Sequence, residues 1–222
     1  MKKIAVIIYG PPGSGKGTQA NLLADKLGLI HFDTGKFLEA AVHDSARQKE
    51  KTIRKERKLF DEGILMSPSF VLREVKKEVI GMNCVGLVFS GSPRTVYEAG
   101  GLYPILEKLY GRKNIFIFVL KAPAEFSLSR NSSRLVCRAC GYTLLSKYYP
   151  KVKPKCCPVC GGPFYRRTLD KPEVIKTRLE EYRKRTKPVI AIARKRGHRV
   201  HEIDARPAPY KVFEKIFSYI PR

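Results

Sequence analysis

A glycine-rich stretch near the start of the chain, Gly10-Pro11-Pro12-Gly13-Ser14-Gly15-Lys16-Gly17-Thr18, most restricts what the chain can fold into. It follows an apolar run, Ile4 to Tyr9, and leads into the helix-like segment Gln19 to Ala24. This order predicts a strand, a tight turn and a helix N-terminus. Backbone N–H groups of such a turn converge on an anion, the helix dipole adds partial positive charge, and Lys16 adds a full one. The stretch therefore predicts a site for nucleotide phosphates.

Strand-like and helix-like segments alternate along most of the chain. Val85 to Phe89 is rich in β-forming residues, and Asn114 to Leu120 is nearly all apolar, as expected of a strand buried on both faces of a parallel sheet. Helical patterns include Ser69 to Ile80, preceded by a proline at the first helical position, and Lys171 to Lys195. This alternation around a glycine loop predicts an α/β protein with the three-layer P-loop NTPase fold and a central parallel sheet.

Cysteines, glycines, prolines and tyrosines replace the helical pattern between about Leu135 and Leu169, which predicts an inserted minidomain. Two Cys-x-x-Cys-Gly turns lie in it, sixteen residues apart, and their ligands would be Cys137, Cys140, Cys157 and Cys160. This spacing indicates a four-thiolate structural zinc site in a small zinc-ribbon-like lobe. A closed four-cysteine site has no position for substrate, so the zinc would serve folding. Free or buried cysteines without metal are the alternative, and Cys84 and Cys156 lie outside the two pairs.

The charge of the chain raises a second class of function. Lys and Arg number 44 against 20 Asp and Glu, a formal net charge of +24, which is typical of proteins that bind nucleic acid. Much of the charge lies in helix-like stretches, 47–58 and 183–196, where a solvated face explains it. No apolar run approaches the roughly 20 residues of a membrane span, and the first apolar run leads into the glycine loop without a cleavage region. We therefore expect a cytoplasmic protein with no membrane partner.

The motifs together resemble those of bacterial adenylate kinases with a long, zinc-bearing lid, over residues 4 to about 220. Besides the glycine loop and the cysteine turns, the resemblance rests on Thr34-Gly35, on Gly63-Ile64-Leu65-Met66, on Gly91-Ser92-Pro93-Arg94-Thr95, and on Arg130, Arg134, Arg167 and Arg178. The position of the loop's hydroxyl also agrees with the family: Gly17 follows the lysine, and the hydroxyl comes one place later, at Thr18.

The resemblance implies reversible phosphoryl transfer from ATP to AMP, giving two ADP, with magnesium bound to the donor, structural zinc and a monomeric enzyme. It divides the chain into a core (1–33, 68–129 and 168–222), a lobe for the nucleoside monophosphate (34–67) and a lid (130–167). It implies a catalytic set of Lys16, Arg94, Arg130, Arg134, Arg167, Arg178 and Asp170. The ATP-binding set is Gly13, Ser14, Gly15, Lys16, Gly17, Thr18, Arg130 and Arg134. The AMP-binding set is Thr34, Gly35, Met66, Gly91, Arg94, Glu98, Arg167 and Arg178.

The chain departs from the family pattern on the acceptor side. Glu39 stands where the family has a phosphate-binding arginine, and Ser90 stands where it has an aspartate that orders magnesium-bound water. Glu98 replaces the glutamine that reads adenine, and Leu169 replaces the first of two lid aspartates, leaving Asp170. A carboxylate accepts but cannot donate hydrogen bonds, so GMP, CMP or UMP remain alternative acceptors. The alternative from another functional class is a catalytically weakened P-loop zinc protein that binds nucleic acid. The set of arginines argues against this alternative.

Overall fold

Five parallel strands form the central sheet of the computed structural model, which describes residues 3–82, 85–145 and 154–221. They are β1 (Ala5–Tyr9), β2 (Ile30–Phe32), β3 (Leu87–Phe89), β4 (Ile115–Lys121) and β8 (Val200–Asp204), in the spatial order β2-β3-β1-β4-β8. Val6 of β1 pairs with Val88 on one side and with Phe116 on the other. All of β1 is buried, as the unbroken apolar run predicts for a central parallel strand.

Helices cover both faces of this sheet, so the predicted three-layer fold is confirmed. One face packs against α4 (Pro68–Gly81), α5 (Val96–Tyr110) and α8 (Lys187–Lys195), and the other against α1 (Lys16–Leu27) and α9 (Pro209–Phe217). Each face has its own apolar cluster, with Tyr103 and Leu106 buried on the first and Leu23 and Ile216 on the second. Within the described ranges no helix is long and apolar enough to cross a membrane.

A helical lobe follows β2. It consists of α2 (Thr34–His43) and α3 (Lys51–Asp61), which bury Leu38, Val42 and Ile53. Asp33 begins α2, because its Oδ1 accepts hydrogen bonds from the backbone N–H groups of Gly35 (3.0 Å) and Lys36 (3.2 Å). Such a cap contributes about 1 kcal/mol to helix stability.

A second lobe lies between α6 (Ala124–Ser132) and α7 (Pro172–Glu181). Its antiparallel sheet has the order β6-β5-β7, formed by β6 (Thr143–Leu145), β5 (Arg134–Cys137) and β7 (Phe164–Tyr165). This small sheet is separate from the parallel one, which matches the predicted insertion. Its position after α6 means that the helix carrying Arg130 leads directly into the lobe.

Two helical regions differ from the sequence prediction. The 15-residue α5 was not predicted, because Gly100, Gly101 and Pro104 interrupt its pattern. Gly101 has a packing reason, since a Cβ there would collide with the side chain of Leu72 on α4. The single long helix predicted for 171–195 is instead α7 and α8 joined by a π-helical turn at Tyr182–Thr186. Such turns are frequent at functional sites, and Tyr182 lines the cavity described below.

Candidate active site

The phosphate loop joins β1 to α1 with its backbone in conformations that require glycine. Gly13 has φ +76° and Gly15, the N-cap of α1, has φ +92°. A Cβ on Gly13 would lie 2.5 Å from Asn131 Nδ2 and 2.9 Å from the Ser127 carbonyl, so the loop packs directly on α6. Among the described residues, no side chain caps the N-terminus of α1. Its first N–H groups are therefore available to an anion, as phosphate binding requires.

Lys16 folds back over this loop. Its Nζ donates hydrogen bonds to the carbonyls of Gly10 (2.7 Å) and Pro11 (2.8 Å). Burial lowers the pKa of Lys16 well below its usual value, and the nearby positive charges of Arg94, Arg178 and Arg134 lower it further. The amine is thus held at the loop in a strongly cationic environment, where a phosphate would stabilise its charge.

A cavity of about 510 Å³ opens in front of the loop and is bounded by the core and both lobes. Its size is that of a typical small-molecule site. Twelve of the predicted site residues line it: Gly13, Gly15, Lys16, Gly17, Thr18, Gly35, Gly91, Arg94, Arg130, Arg134, Arg167 and Arg178. The structure therefore brings together predicted residues that are up to 165 positions apart in the sequence, from Gly13 to Arg178.

The arginines of this cavity are crowded together. Burial lowers the pKa values of both Arg94 and Arg178, and the positive charge of Arg167 lowers both further. Arg94 is held in place by its Nε, which donates to the Gly91 carbonyl at 2.6 Å. Desolvated charges of one sign are costly unless an ion of the other sign joins them, and such clusters mark functional sites. The cavity therefore fits a highly charged anion.

Five predicted site residues lie behind the cavity wall: Ser14, Thr34, Met66, Glu98 and Asp170. Asp170 supports the wall, because its two carboxylate oxygens accept from Nε and a terminal nitrogen of Arg134. Its side chain is only 5% exposed. Loss of one partner from such a buried ion pair costs about 3–5 kcal/mol. Asp170 thus orients Arg134, while its predicted catalytic role stays a prediction.

Glu98 forms a capping box at the start of α5. Its Oε1 accepts from the Thr95 hydroxyl (2.8 Å), its Oε2 accepts from the Arg94 backbone N–H (2.8 Å), and the Thr95 hydroxyl accepts from the Glu98 N–H (3.2 Å). Burial raises the pKa of Glu98 above its usual value, and these hydrogen bonds offset part of that rise. Both carboxylate oxygens thus have partners within the protein. The role of Glu98 in reading the acceptor base stays a prediction, and the hydrogen bonds of the capping box compete with that role.

A hydrogen-bonded chain beside the phosphate loop was not predicted from the sequence. His31 Nδ1 lies 2.5 Å from Asn21 Oδ1, and His31 Nε2 lies 2.6 Å from Ser90 Oγ. The Asn21 oxygen can only accept, so in neutral His31 Nδ1 donates and Nε2 accepts the Ser90 O–H. Burial lowers the pKa of His31 and favours this neutral form. These two hydrogen bonds hold the Ser90 hydroxyl where the resemblance places an aspartate. Asn21 lies on α1, His31 lies on β2, and Ser90 follows β3.

The four paired cysteines meet in the second lobe. Their sulfurs all lie within 4.8 Å of one another, with Cys137 and Cys160 Sγ 3.5 Å apart and Cys140 and Cys157 Sγ 3.7 Å apart. Four sulfurs at about 2.3 Å from one zinc ion would be about 3.8 Å apart, so the set fits a tetrahedral site. A hydrogen bond from the Cys140 backbone N–H is the largest of the effects that lower the pKa of Cys137 to about 6. Cys156 is exposed outside the cluster, and Cys84 lies outside the described residues.

Replacement of Cys140 by serine should remove the metal and destabilise this lobe before the core. The purified wild-type protein should hold about one zinc per chain, and chelation should reproduce the effect of the substitution. Elemental analysis and thermal unfolding measure both quantities. Cys156→Ser is the matched control and should keep zinc and melting temperature. A zinc-free wild-type protein whose unfolding is unchanged by chelator would exclude the site.

The parallel α/β core, the phosphate loop and a cavity where cations from core and lobes meet define a P-loop phosphotransferase. The comparison with protein families then specifies which one. The family model for adenylate kinase matches residues 8–198. The chain belongs to the adenylate kinase family, a family of nucleoside monophosphate kinases.

Individual relatives extend the match over nearly the whole chain. An adenylate kinase of Caldicellulosiruptor saccharolyticus is 34% identical over 193 residues, which cover 86% of this chain and 87% of the relative. One of Methanosarcina barkeri is 32% identical over 218 residues, 98% of both chains. One of Erythrobacter litoralis is 34% identical over 194 residues, 86% of this chain and 88% of the relative. The resemblance inferred from the motifs is confirmed.

Proposed function

We propose that the protein catalyses the reversible transfer of a phosphoryl group from ATP to AMP, giving two ADP. The observation that carries the proposal is the convergence of Lys16, Arg94, Arg134, Arg167 and Arg178 on one cavity. Phosphoryl transfer passes through a loose in-line transition state whose charge is spread over the equatorial oxygens. The protein's contribution to such a reaction is positioning and positive charge. A cavity lined by cations from several elements supplies both.

The donor half of the site would be the phosphate loop and the start of α1. The N–H groups of Gly13 to Thr18 would bind the phosphates of ATP, and Lys16 would exchange its two loop carbonyls for phosphate oxygens. Arg130 and Arg134 line the cavity on the lid side and would complete this half. Magnesium bound with ATP would neutralise part of the donor's charge. The oxygens of Thr18, Ser90 and Asp33 line the cavity and are the hard ligands or water partners that magnesium prefers.

The acceptor half would lie between Arg94 and the helical lobe. Arg94 and Arg167 would bind the α-phosphate of AMP, and Arg167 would join Arg178 in stabilising the group in transfer. The adjacent wall, formed by Ile64, Leu65, Tyr182 and Thr186, is apolar and aromatic with few polar groups, which suits a nucleobase. Because both oxygens of Glu98 have partners in the capping box, the choice of base would fall to this wall.

Division of the chain into a core (1–33, 68–129 and 168–222), a nucleoside-monophosphate lobe (34–67) and a lid (130–167) is part of the proposal. The packing of α2 on α3 and the separate sheet of the lid support it, while Leu38, Val42 and Ile53 connect the helical lobe to the apolar cluster of the core. Lid closure would exclude water that could otherwise hydrolyse ATP. We further propose that the protein acts as a monomer in the cytoplasm, since one chain supplies both halves of the site and a four-thiolate zinc site needs reduced cysteines.

A panel of acceptors tests this function. ATP with magnesium is incubated with AMP, GMP, CMP or UMP, and the nucleotides are separated by chromatography. We expect the fastest turnover with AMP. Faster transfer to another nucleoside monophosphate would reassign the acceptor, and no transfer to any of the four would refute the kinase. A Lys16→Met protein purified in the same way controls for contaminating host kinase.

Nucleic-acid binding is the second candidate, and the net charge of +24 favours it. Binding that depends only on charge weakens steeply as salt rises from about 50 to about 200 mM and shows no base preference. We expect this behaviour in a filter-binding titration with RNA and DNA of different sequences. Sequence-dependent retention at the higher salt would instead support a nucleic-acid-binding protein.

A further inference from the structure

Glu39 projects from α2 into the acceptor end of the cavity and contacts the other lobe. Its Oε2 accepts a hydrogen bond from a terminal nitrogen of Arg167 at 2.9 Å. Both residues line the cavity, and the Arg167 side chain is only 18% exposed. The two residues are 128 positions apart in the chain, so this ion pair joins the helical lobe to the end of the lid.

The chemistry of this ion pair resembles that of a bound phosphate. A carboxylate gives arginine the same charge-assisted hydrogen bond that a phosphate oxygen would give. Arg167 is one of the crowded cations, because its charge contributes to the lowered pKa values of Arg94 and Arg178. Glu39 therefore neutralises one of these cations at the place where an acceptor phosphate would do so.

We propose that Glu39 is an internal competitor of the acceptor phosphate. It holds Arg167, and with it the lid, against the helical lobe while the acceptor site is empty. The phosphate of the incoming nucleotide displaces it. The inference rests on the proposed function for the identity of the acceptor. Its consequence is that Glu39 sets acceptor affinity and the resting arrangement of the lobes while taking no part in the chemical step.

Lys36 provides a partner for the displaced carboxylate. It precedes Glu39 by three residues on α2, the spacing at which helical side chains are neighbours. Lys36 also lines the cavity near the lid, since a Cβ on Gly141 would lie 3.0 Å from Lys36 Nζ. A switch of Glu39 from Arg167 to Lys36 would free the arginine without leaving a carboxylate unpaired beside the phosphate.

Replacement of Glu39 by glutamine tests the proposal, because it removes the charge and keeps the shape. We expect KM for AMP to fall by about tenfold, the order expected when a charge-assisted hydrogen bond no longer has to be broken. The values of kcat and of KM for ATP should stay within about twofold of wild type, because the chemical step follows the displacement of Glu39 and ATP binding uses other residues. Glu50→Gln is the matched control: Glu50 lies in the same lobe and pairs with Arg47 at 3.0 Å outside the cavity, so KM for AMP should not change. An unchanged KM for AMP in Glu39→Gln, or an equal fall in Glu50→Gln, would overturn the inference.

Two further measurements separate competition from simple repulsion and from failure of the kinase assignment. Small-angle scattering of the ligand-free proteins should give a larger radius of gyration for Glu39→Gln than for wild type, because the lobes are no longer joined. Tighter AMP binding with an unchanged radius would contradict the role in joining the lobes. Calorimetric titration with AMP alone needs no turnover, so it tests Glu39 even if phosphoryl transfer is absent. The nucleotide panel alone decides the proposed function.

Discussion

Replacement of Lys16 by methionine is expected to lower kcat for ADP formation by about 10³-fold or more, the order expected for loss of a cation that stabilises a phosphoryl transition state. Methionine keeps an unbranched apolar chain of four heavy atoms and removes the ammonium group that lies over the phosphate loop. The fold should survive, because the hydrogen bonds that Nζ makes within the described part of the chain are those to the carbonyls of Gly10 and Pro11. The loss should therefore appear in kcat with little change in melting temperature.

A control lysine lies on the same helix. Lys26, in the last turn of α1, is exposed and outside the cavity, so Lys26→Met should retain activity within about twofold. Steady-state rates and thermal unfolding of the two variants and wild type complete the comparison. A Lys16→Met protein with more than a tenth of wild-type kcat would show that the loop is not the donor site.

Replacement of Arg94 by alanine is expected to lower kcat/KM for AMP by about 10²- to 10³-fold, the cost of losing one preorganised charge-stabilising donor. The guanidinium is held at the proposed acceptor end by its hydrogen bond to the Gly91 carbonyl. A side chain at position 91 would disturb this arrangement, because a Cβ there would lie 2.7 Å from a terminal nitrogen of Arg94. KM for ATP should change little, because in the proposed function Arg94 would serve the acceptor half. This division between the two substrates distinguishes the prediction from general damage to the site.

Arg73→Ala is the control for this variant. Arg73 lies exposed on α4 and pairs with Glu74 at 3.0 Å, so its loss should leave both KM values unchanged. Initial rates over a matrix of ATP and AMP concentrations separate the two KM values. Equal losses toward ATP and AMP would contradict the assignment of Arg94 to the acceptor side.

Local patterns with one dominant physical cause were predictable from the sequence. The apolar run of β1 and the glycine loop have periodicities and turn chemistry that depend little on the rest of the chain, and the structure has both elements. The proline at the start of α4 likewise placed that helix. The cysteine spacing predicted the cluster because both turns must present sulfurs to one ion.

Features that depend on tertiary contacts were not predictable. Helix α5 carries Gly101 because α4 approaches closely there, and only the packed structure shows that the glycine is needed. The chain of Asn21, His31 and Ser90 joins three elements with no common sequence motif. An Asp before Thr34-Gly35 is a helix-cap signal that could have identified Asp33. The partner of Glu39 could not be read from residue type, since it lies across the cavity. The spacing Thr95-x-x-Glu98 is that of a capping box, a sequence signal that could have identified the partner of Glu98.

The close packing of Gly13 on α6 links two events that chemistry alone would treat as separate. The phosphate loop contacts Ser127 and Asn131 at Gly13, and Asn131 directly follows Arg130 near the point where the chain enters the lid. With no side chain between loop and helix, a displacement of the loop by a bound phosphate would be transmitted through α6 to the base of the lid. A residue larger than glycine at position 13 should therefore disturb both the phosphate loop and the start of the lid.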